Sequence, residues 1–202
     1  MSISRGVVYV TYGENAKQEA RRSIAALKER NDLPVTVIDQ QYENMTNEQA
    51  SRWGKLNLNN LSKYSMTLYL DADTRVYGKL DAGFEALEAG WDMALCPSKQ
   101  QGEELLWHVG WSEKEHTIGT LNYLPLQLQA GVMYVRKNTR TDALFEAWRD
   151  EWQLWRDQDQ AALLRALKRV PINIWLLGHP FNGGAVIGHL FGRAKTTKGA
   201  MK

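Results

Sequence analysis

Apolar runs alternate along this chain with stretches that are apolar on one side only. Gly6 to Thr11, holding Val7, Val8, Tyr9 and Val10 and closed by Tyr12-Gly13, has the pattern of a strand covered on both faces. From Ala16 to Arg30, Ala20, Ile24 and Leu27 share one face among charged neighbours, which predicts an amphipathic helix ended by Asn31-Asp32-Leu33-Pro34. Val35 to Ile38 is the next strand. Strand, helix, strand at this spacing is a βαβ unit, so parallel pairing with a right-handed crossover is expected. Asp39 to Asn47 is polar loop, and Ala50 to Tyr64, with Trp53, Leu56, Leu58 and Leu61, predicts one or two short helices that include Lys55.

The central run, Met66-Thr67-Leu68-Tyr69-Leu70, drops without a turn residue into Asp71-Ala72-Asp73 and continues as Thr74-Arg75-Val76. Leu80 to Glu88 then reads as a helix stopped by Gly90, and Trp91 to Cys96 as a strand ended by Pro97. Ser98 to Leu128 lacks periodicity and has the length of a lid or binding loop; it carries Trp107, His108, Trp111, His116 and Tyr123. Val132 to Val135 predicts a strand after Gln129-Ala130-Gly131. Thr141 to Trp155 predicts a helix whose Leu144, Trp148, Trp152 and Trp155 form a core stripe rather than a membrane belt. Asp157-Gln158-Asp159-Gln160 caps a helix from Ala161 to Lys168, and Pro171 opens a last strand, Ile172 to Leu176. The expected architecture is α/β: one domain over residues 1–202 with a Rossmann-like, mostly parallel sheet and helices on both faces. Its donor-binding half is expected over about 1–97 and its acceptor half over about 98–202.

Composition narrows the function classes. With 202 residues, 44% hydrophobic and 24% charged, the chain can bury a core without staples. A formal charge of +2, with both signs mixed along most of the length, argues against a nucleic-acid partner. Cys96 is the single cysteine, which excludes an internal disulfide and fits a reducing compartment. Met1 to Arg5 runs straight into a strand, and no stretch is long enough to span a bilayer, so a cytoplasmic protein is expected, compatible with peripheral membrane contact. His108 and His116, near Glu113 and Glu115, fit no ligand spacing and read as solvated loop residues; His179 precedes Pro180 in a turn; Gly183-Gly184 reads as turn geometry.

The candidate chemistry lies at Asp71 and Asp73. Carboxyl ends of parallel strands are where ligands bind, and on extended backbone residues i and i+2 face the same side, so both acids could face one cation. A hard divalent ion such as Mg²⁺ or Mn²⁺ takes such oxygen ligands and keeps positions open for substrate phosphates. The bland alternative is a polar loop opening after a core strand.

Three pieces stand in order: the D-x-D of Asp71 and Asp73, the Ala130-Gly131-Val132-Met133 strand after a long insertion, and a C-terminal H-x-x-G-x-x-K formed by His189, Gly192 and Lys195. The combination, from Val10 through Lys195, resembles the nucleotide-sugar glycosyltransferases of the GT-A fold, specifically the retaining family of glycogenin and the bacterial lipopolysaccharide galactosyl- and glucosyltransferases. That resemblance implies a UDP-sugar donor, a divalent metal, commonly Mn²⁺, and a glycan, protein or small-molecule acceptor. It implies Asp71, Asp73 and His189 as metal ligands, with Asp71, Ala72 and Asp73 also at the donor, and Gly192 and Lys195 at its phosphates. Thr11 and Tyr12 take the place of the residues holding nucleobase and ribose, and Lys55 that of the basic residue before the central strand. Asp159 and Gln160 take the place of the Asp-Gln pair near the transferred sugar; Asp157-Gln158 fit the same pattern, and Asp159 is chosen because Gln160 runs directly into the helix. Gln129 stands where the family usually has Asn at the donor sugar, and Thr196-Thr197 replace its proline-tryptophan.

Two other enzyme classes fit less well. A haloacid-dehalogenase-type phosphatase would place Thr where Arg75 stands and its D-x-D near the N-terminus, and a nucleotidyltransferase would have a glycine-rich basic loop in place of Tyr12-Gly13-Glu14-Asn15. A non-catalytic homologue that binds nucleotide or glycan shares every motif.

Overall fold

A computed structural model describes residues 4–39, 42–98, 106, 108–123 and 126–191. Strands β1 (Arg5–Val10), β2 (Val35–Ile38) and β3 (Met66–Leu70) are followed by β5 (Met93–Pro97), β6 (Leu128–Arg136) and β7 (Ile174–Leu176) in a six-stranded sheet of order β2-β1-β3-β6-β5-β7. A separate two-stranded ribbon joins β4 (Thr74–Val76) to β8 (Ile187–His189). The helices are α1 (Glu14–Lys28), α2 (Asn47–Leu56), α3 (Leu58–Leu61), α4 (Asp81–Glu88), α5 (Trp111–Leu121), α6 (Thr139–Gln153) and α7 (Asp159–Arg169). The expected βαβ unit is present, since β1 pairs in parallel with β2, and it pairs in parallel with β3 as well. The sheet is mostly parallel rather than wholly so: β6 runs antiparallel to both β3 and β5.

Both faces of the sheet are covered, which explains the unbroken apolar runs. Along β1, Val7 and Tyr9 pack with Ala20 and Leu27 of α1 and Phe84 and Leu87 of α4, while Val8 and Val10 join the opposite cluster with Leu144, Phe145 and Trp148 of α6 and Ala162 of α7. The tryptophan stripe is core for Trp148 and Trp152, at 0% and 1% exposure, and leaves Trp155 at the surface. Cys96 is buried too, and burial pushes its thiol up to about 12, so it is inert at neutral pH.

The stretch expected to be irregular, residues 98–128, contains the helix α5. Its inward residues Glu113, Thr117 and Leu121 recur every four positions, but two of them are polar. They face Arg165 of α7, which is fully buried, donates to Glu113, Thr117 and Glu151, and ties α5, α6 and α7 together. Glu113 is therefore a structural partner, and His116 lies on the exposed side of α5 against Trp155 rather than in a loop. Among the described residues, no helix is long and apolar enough to cross a membrane.

Candidate functional site

Tyr69 in β3 belongs to the α6/α7 side of the sheet, and Asp71, two residues on, lies beyond the end of that strand on the same side. The two acids are not on extended backbone as the sequence predicts. The chain turns over Ala72-Asp73, and Thr74 closes the turn by donating its N–H and its hydroxyl to the Asp71 carbonyl, at 3.1 and 2.8 Å. The turn starts β4, which pairs with β8 in a register that sets Thr74 opposite His189. This ribbon is what carries a side chain from residue 189 to the acids: His189 Nε2 lies 3.2 Å from Asp73 Oδ1 and 3.7 Å from Asp71 Oδ2. One ligand atom from each of the three residues lies within 4.8 Å of the other two.

Each group is held from behind. The Asp71 N–H donates to Gly131 O at 2.8 Å, and Asp71 Oδ1 accepts from the Tyr69 hydroxyl at 2.7 Å, leaving Oδ2 turned toward the histidine. Burial first, then the Asp71 charge, push the Tyr69 phenol far above its ordinary range, so it remains a donor. His189 Nδ1 lies 2.8 Å from Asn182 Oδ1, and its ring stacks on Phe191 at 4.2 Å between centroids. Gly131 closes the floor: a Cβ there would overlap His189 Cε1 and come within 2.5 Å of Asp71 Oδ2. Gly131→Ala is therefore expected to spread the acids from the imidazole and to cost about 1–3 kcal/mol in stability, checked by urea unfolding.

Lys55, on α2, links this cluster to a second one. Its Nζ lies 3.2 Å from Asp71 Oδ1 and 2.6 Å from Asp159 Oδ2, with 8% and 9% of the Lys55 and Asp159 side chains exposed. Burial opposes both charges, but the pairing outweighs it: the Asp159 and Asp71 carboxylates raise the lysine, and the lysine lowers Asp159. Asp159 is the first residue of α7 rather than a side-chain cap, and its carbonyl accepts from Trp148 Nε1 at 2.8 Å. Next to it, Gln160 donates to Gln129 Oε1 at 2.5 Å and accepts from Gln127 Nε2 at 2.6 Å. Asp157 lies apart, half-exposed, 3.8 Å from Arg52.

Thr11 and Tyr12 lie at the end of β1 in a polar cleft of about 220 Å³ shared with Lys17, Asp39, Tyr42 and Asn47. Neither Thr11 Oγ1 nor Tyr12 Oη has a hydrogen-bond partner among the described residues, although both are buried. Buried polar atoms are rarely left so. Gly192 and Lys195 lie outside the described residues, as does Trp107.

The structure thus brings together Lys55, Asp71, Asp73, Asp159 and His189, with Gln160 against Gln129 beside Asp159, and sets Thr11 and Tyr12 in the cleft at the end of β1. Sequence reasoning gave no role to Tyr69, Gly131, Asn182 or Gln127. The Tyr69 contact was findable, because i and i−2 share a strand face. The other contacts depend on a ribbon and turns that leave no periodic signal.

No protein-family model and no curated protein sequence matches the chain. Solved structures do. A glycosyltransferase involved in glycosylation of the major capsid of PBCV-1 superimposes with a TM-score of 0.60 at 12% identity, over 96% of this chain and 100% of that one. Mouse xyloside xylosyltransferase 1 in its apo form gives 0.57 at 9% identity, over 88% and 86%. The galactosyltransferase LgtC, crystallised with donor and acceptor sugar analogues, gives 0.57 at 12% identity, over 88% and 74%. Their shared architecture, a mostly parallel sheet between helices, is the one found here, and this chain has the GT-A glycosyltransferase fold.

Proposed function

We propose that this protein is a metal-dependent glycosyltransferase that moves a sugar from a nucleoside-diphosphate sugar, UDP-linked by family resemblance, to an acceptor. The observation that carries the reading is the convergence of Asp71, Asp73 and His189 from two distant parts of the chain onto one point. The donor set fits a divalent cation. With Asn182 Oδ1 facing Nδ1, His189 presents Nε2 to the two carboxylates, so one nitrogen and two oxygens face a common point. Two oxygens and one nitrogen suit Mn²⁺, which accepts a nitrogen ligand more readily than Ca²⁺ does.

A bound divalent ion supplies positive charge to the diphosphate as it leaves, where negative charge grows in the transition state. The chain's own groups do the rest. Asp71 and Asp73 hold their oxygens ready through the turn and the Tyr69 hydroxyl, so little reorganisation is needed on binding. Lys55 keeps Asp159 ionised in a buried setting and lies 3.2 Å from Asp71 Oδ1. By resemblance to the family Asp159 and Gln160 take the transferred-sugar position, and Gln160 is held by Gln129 and Gln127. Thr11 and Tyr12 offer unpartnered hydroxyls to ribose and base. By resemblance to the family, Lys195 adds charge at the phosphates and the anomeric configuration is retained, which NMR of the product's anomeric proton would read.

A thermal-shift screen of nucleoside-diphosphate sugars with and without Mn²⁺ tests the reading. Stabilisation by one donor only when metal is present is the expected result, and a donor at 100 times its Kd adds about 2.7 kcal/mol. Equal shifts without metal, or none with any donor, would contradict it. Metal-dependent binding with neither transfer nor donor hydrolysis would favour a binding protein on the same fold.

A further inference from the structure

We infer that Asn182 is a positioning residue that fixes His189 as an Nε2 ligand. The inference rests on the proposed metal reading of the Asp71, Asp73 and His189 cluster and concerns how that site is made.

Asn182 is 3% exposed and has its Oδ1 2.8 Å from His189 Nδ1. Its own position is set by backbone alone. Its N–H donates to His179 O at 3.0 Å at the end of a single 3-10 turn, His179–Phe181. The chain then reverses through Gly183, whose φ of +94 falls in the left-handed region, and Gly184, where a Cβ would come within 2.6 Å of Pro180 Cα. Gly183 and Gly184 donate to Ile187 O and Val186 donates to Pro180 O, folding the loop back along β8. Asn182 therefore lies against His189 although it stands seven positions earlier in the chain.

Phe191 covers the ring itself, Gly131 leaves room at Cε1, and Asn182 accepts at Nδ1. With Nδ1 as donor, the tautomer that remains has its free lone pair on Nε2, the atom facing Asp73 and Asp71. The Asn182 Nδ2 group is buried with no partner among the described residues. A purely structural asparagine would be expected to use that donor, since leaving it unpaired is costly. Of the amide's two polar atoms, the oxygen is the one in contact with the ring.

The test compares Asn182→Leu, which keeps the shape and removes the acceptor, with Asn182→Asp, which keeps an acceptor and removes the orphan donor. Two readouts are taken on the full chain: Mn²⁺ affinity from EPR of free Mn²⁺, and the His189 tautomer from long-range ¹H–¹⁵N correlation spectra with saturating, diamagnetic Mg²⁺. Asn182→Leu is expected to weaken Mn²⁺ binding about 10–100-fold and to mix the two tautomers, while Asn182→Asp retains the Nδ1–H form and affinity close to wild type. Wild-type affinity and an unchanged tautomer in Asn182→Leu would overturn the inference and leave the metal reading standing. A wild-type protein that binds no Mn²⁺ would overturn the metal reading itself, and the ligand role of His189 with it.

Discussion

Asp73→Asn is expected to lower sugar transfer, or the slow donor hydrolysis read in its place, by about 10²–10³-fold, as for loss of one preorganised charge at a transition state. The fold should not suffer. Asp73 ends a turn fastened by backbone and by Thr74, and none of those bonds uses its carboxylate. Its carboxylate lies 3.2 Å from His189 Nε2, and the amide of Asn keeps an oxygen that can face the ring there. An unfolding midpoint close to wild type, measured by calorimetry without Mn²⁺, together with the loss of activity, is the expected pair of results. Unchanged turnover would remove Asp73 from the reaction.

The second large effect is on stability. Lys55→Met is expected to cost about 3–5 kcal/mol in urea unfolding at neutral pH, because it strands Asp159 as a buried charge without its cation. The pH dependence follows from the two directions. Asp159 is lowered in the folded protein, so its contribution is present above the ordinary carboxylate pKa of about 3.9 and is lost as pH falls through the folded value. Lys55 is raised, so its contribution is present below the ordinary lysine pKa of about 10.4 and is lost as pH rises through the folded value. The pair thus supports the fold across the whole neutral range. The deficit of Lys55→Met should narrow on acidification, since an unpaired, buried Asp159 takes up a proton and ceases to be a stranded charge. A deficit below 1 kcal/mol at pH 7 would show that solvent reaches the pair. The double variant Lys55→Met/Asp159→Leu should recover most of the loss, because a buried ion pair can be replaced by apolar packing at little cost.

Much of the sheet was legible because burial on both faces leaves plain apolar runs at Val7–Val10, Met66–Leu70 and Met93–Cys96. Direction was not. A strand covered on both sides reads the same whichever way it runs, and β6 is antiparallel to its two neighbours. Helix α5 escaped notice because the face it buries carries Glu113 and Thr117, satisfied by Arg165 from a distant helix, and no hydrophobic period marks such a contact. β4 and β8 are three residues each, too short for alternation to show, yet their pairing delivers His189. At the site, residue types and order pointed to Asp71, Asp73 and His189, while the parts that hold them were hidden. Gly131 matters through an absent Cβ, Asn182 through a tight loop, and the acids converge through a turn rather than along a strand.

Crystals grown with UDP and Mn²⁺, with data collected to give the manganese anomalous signal, test the central claim most directly. The account predicts a single peak bounded by Asp71, Asp73 and His189 Nε2, with the diphosphate on its open side. A peak elsewhere, or nucleotide bound with the His189 ring turned away from both acids, would contradict it.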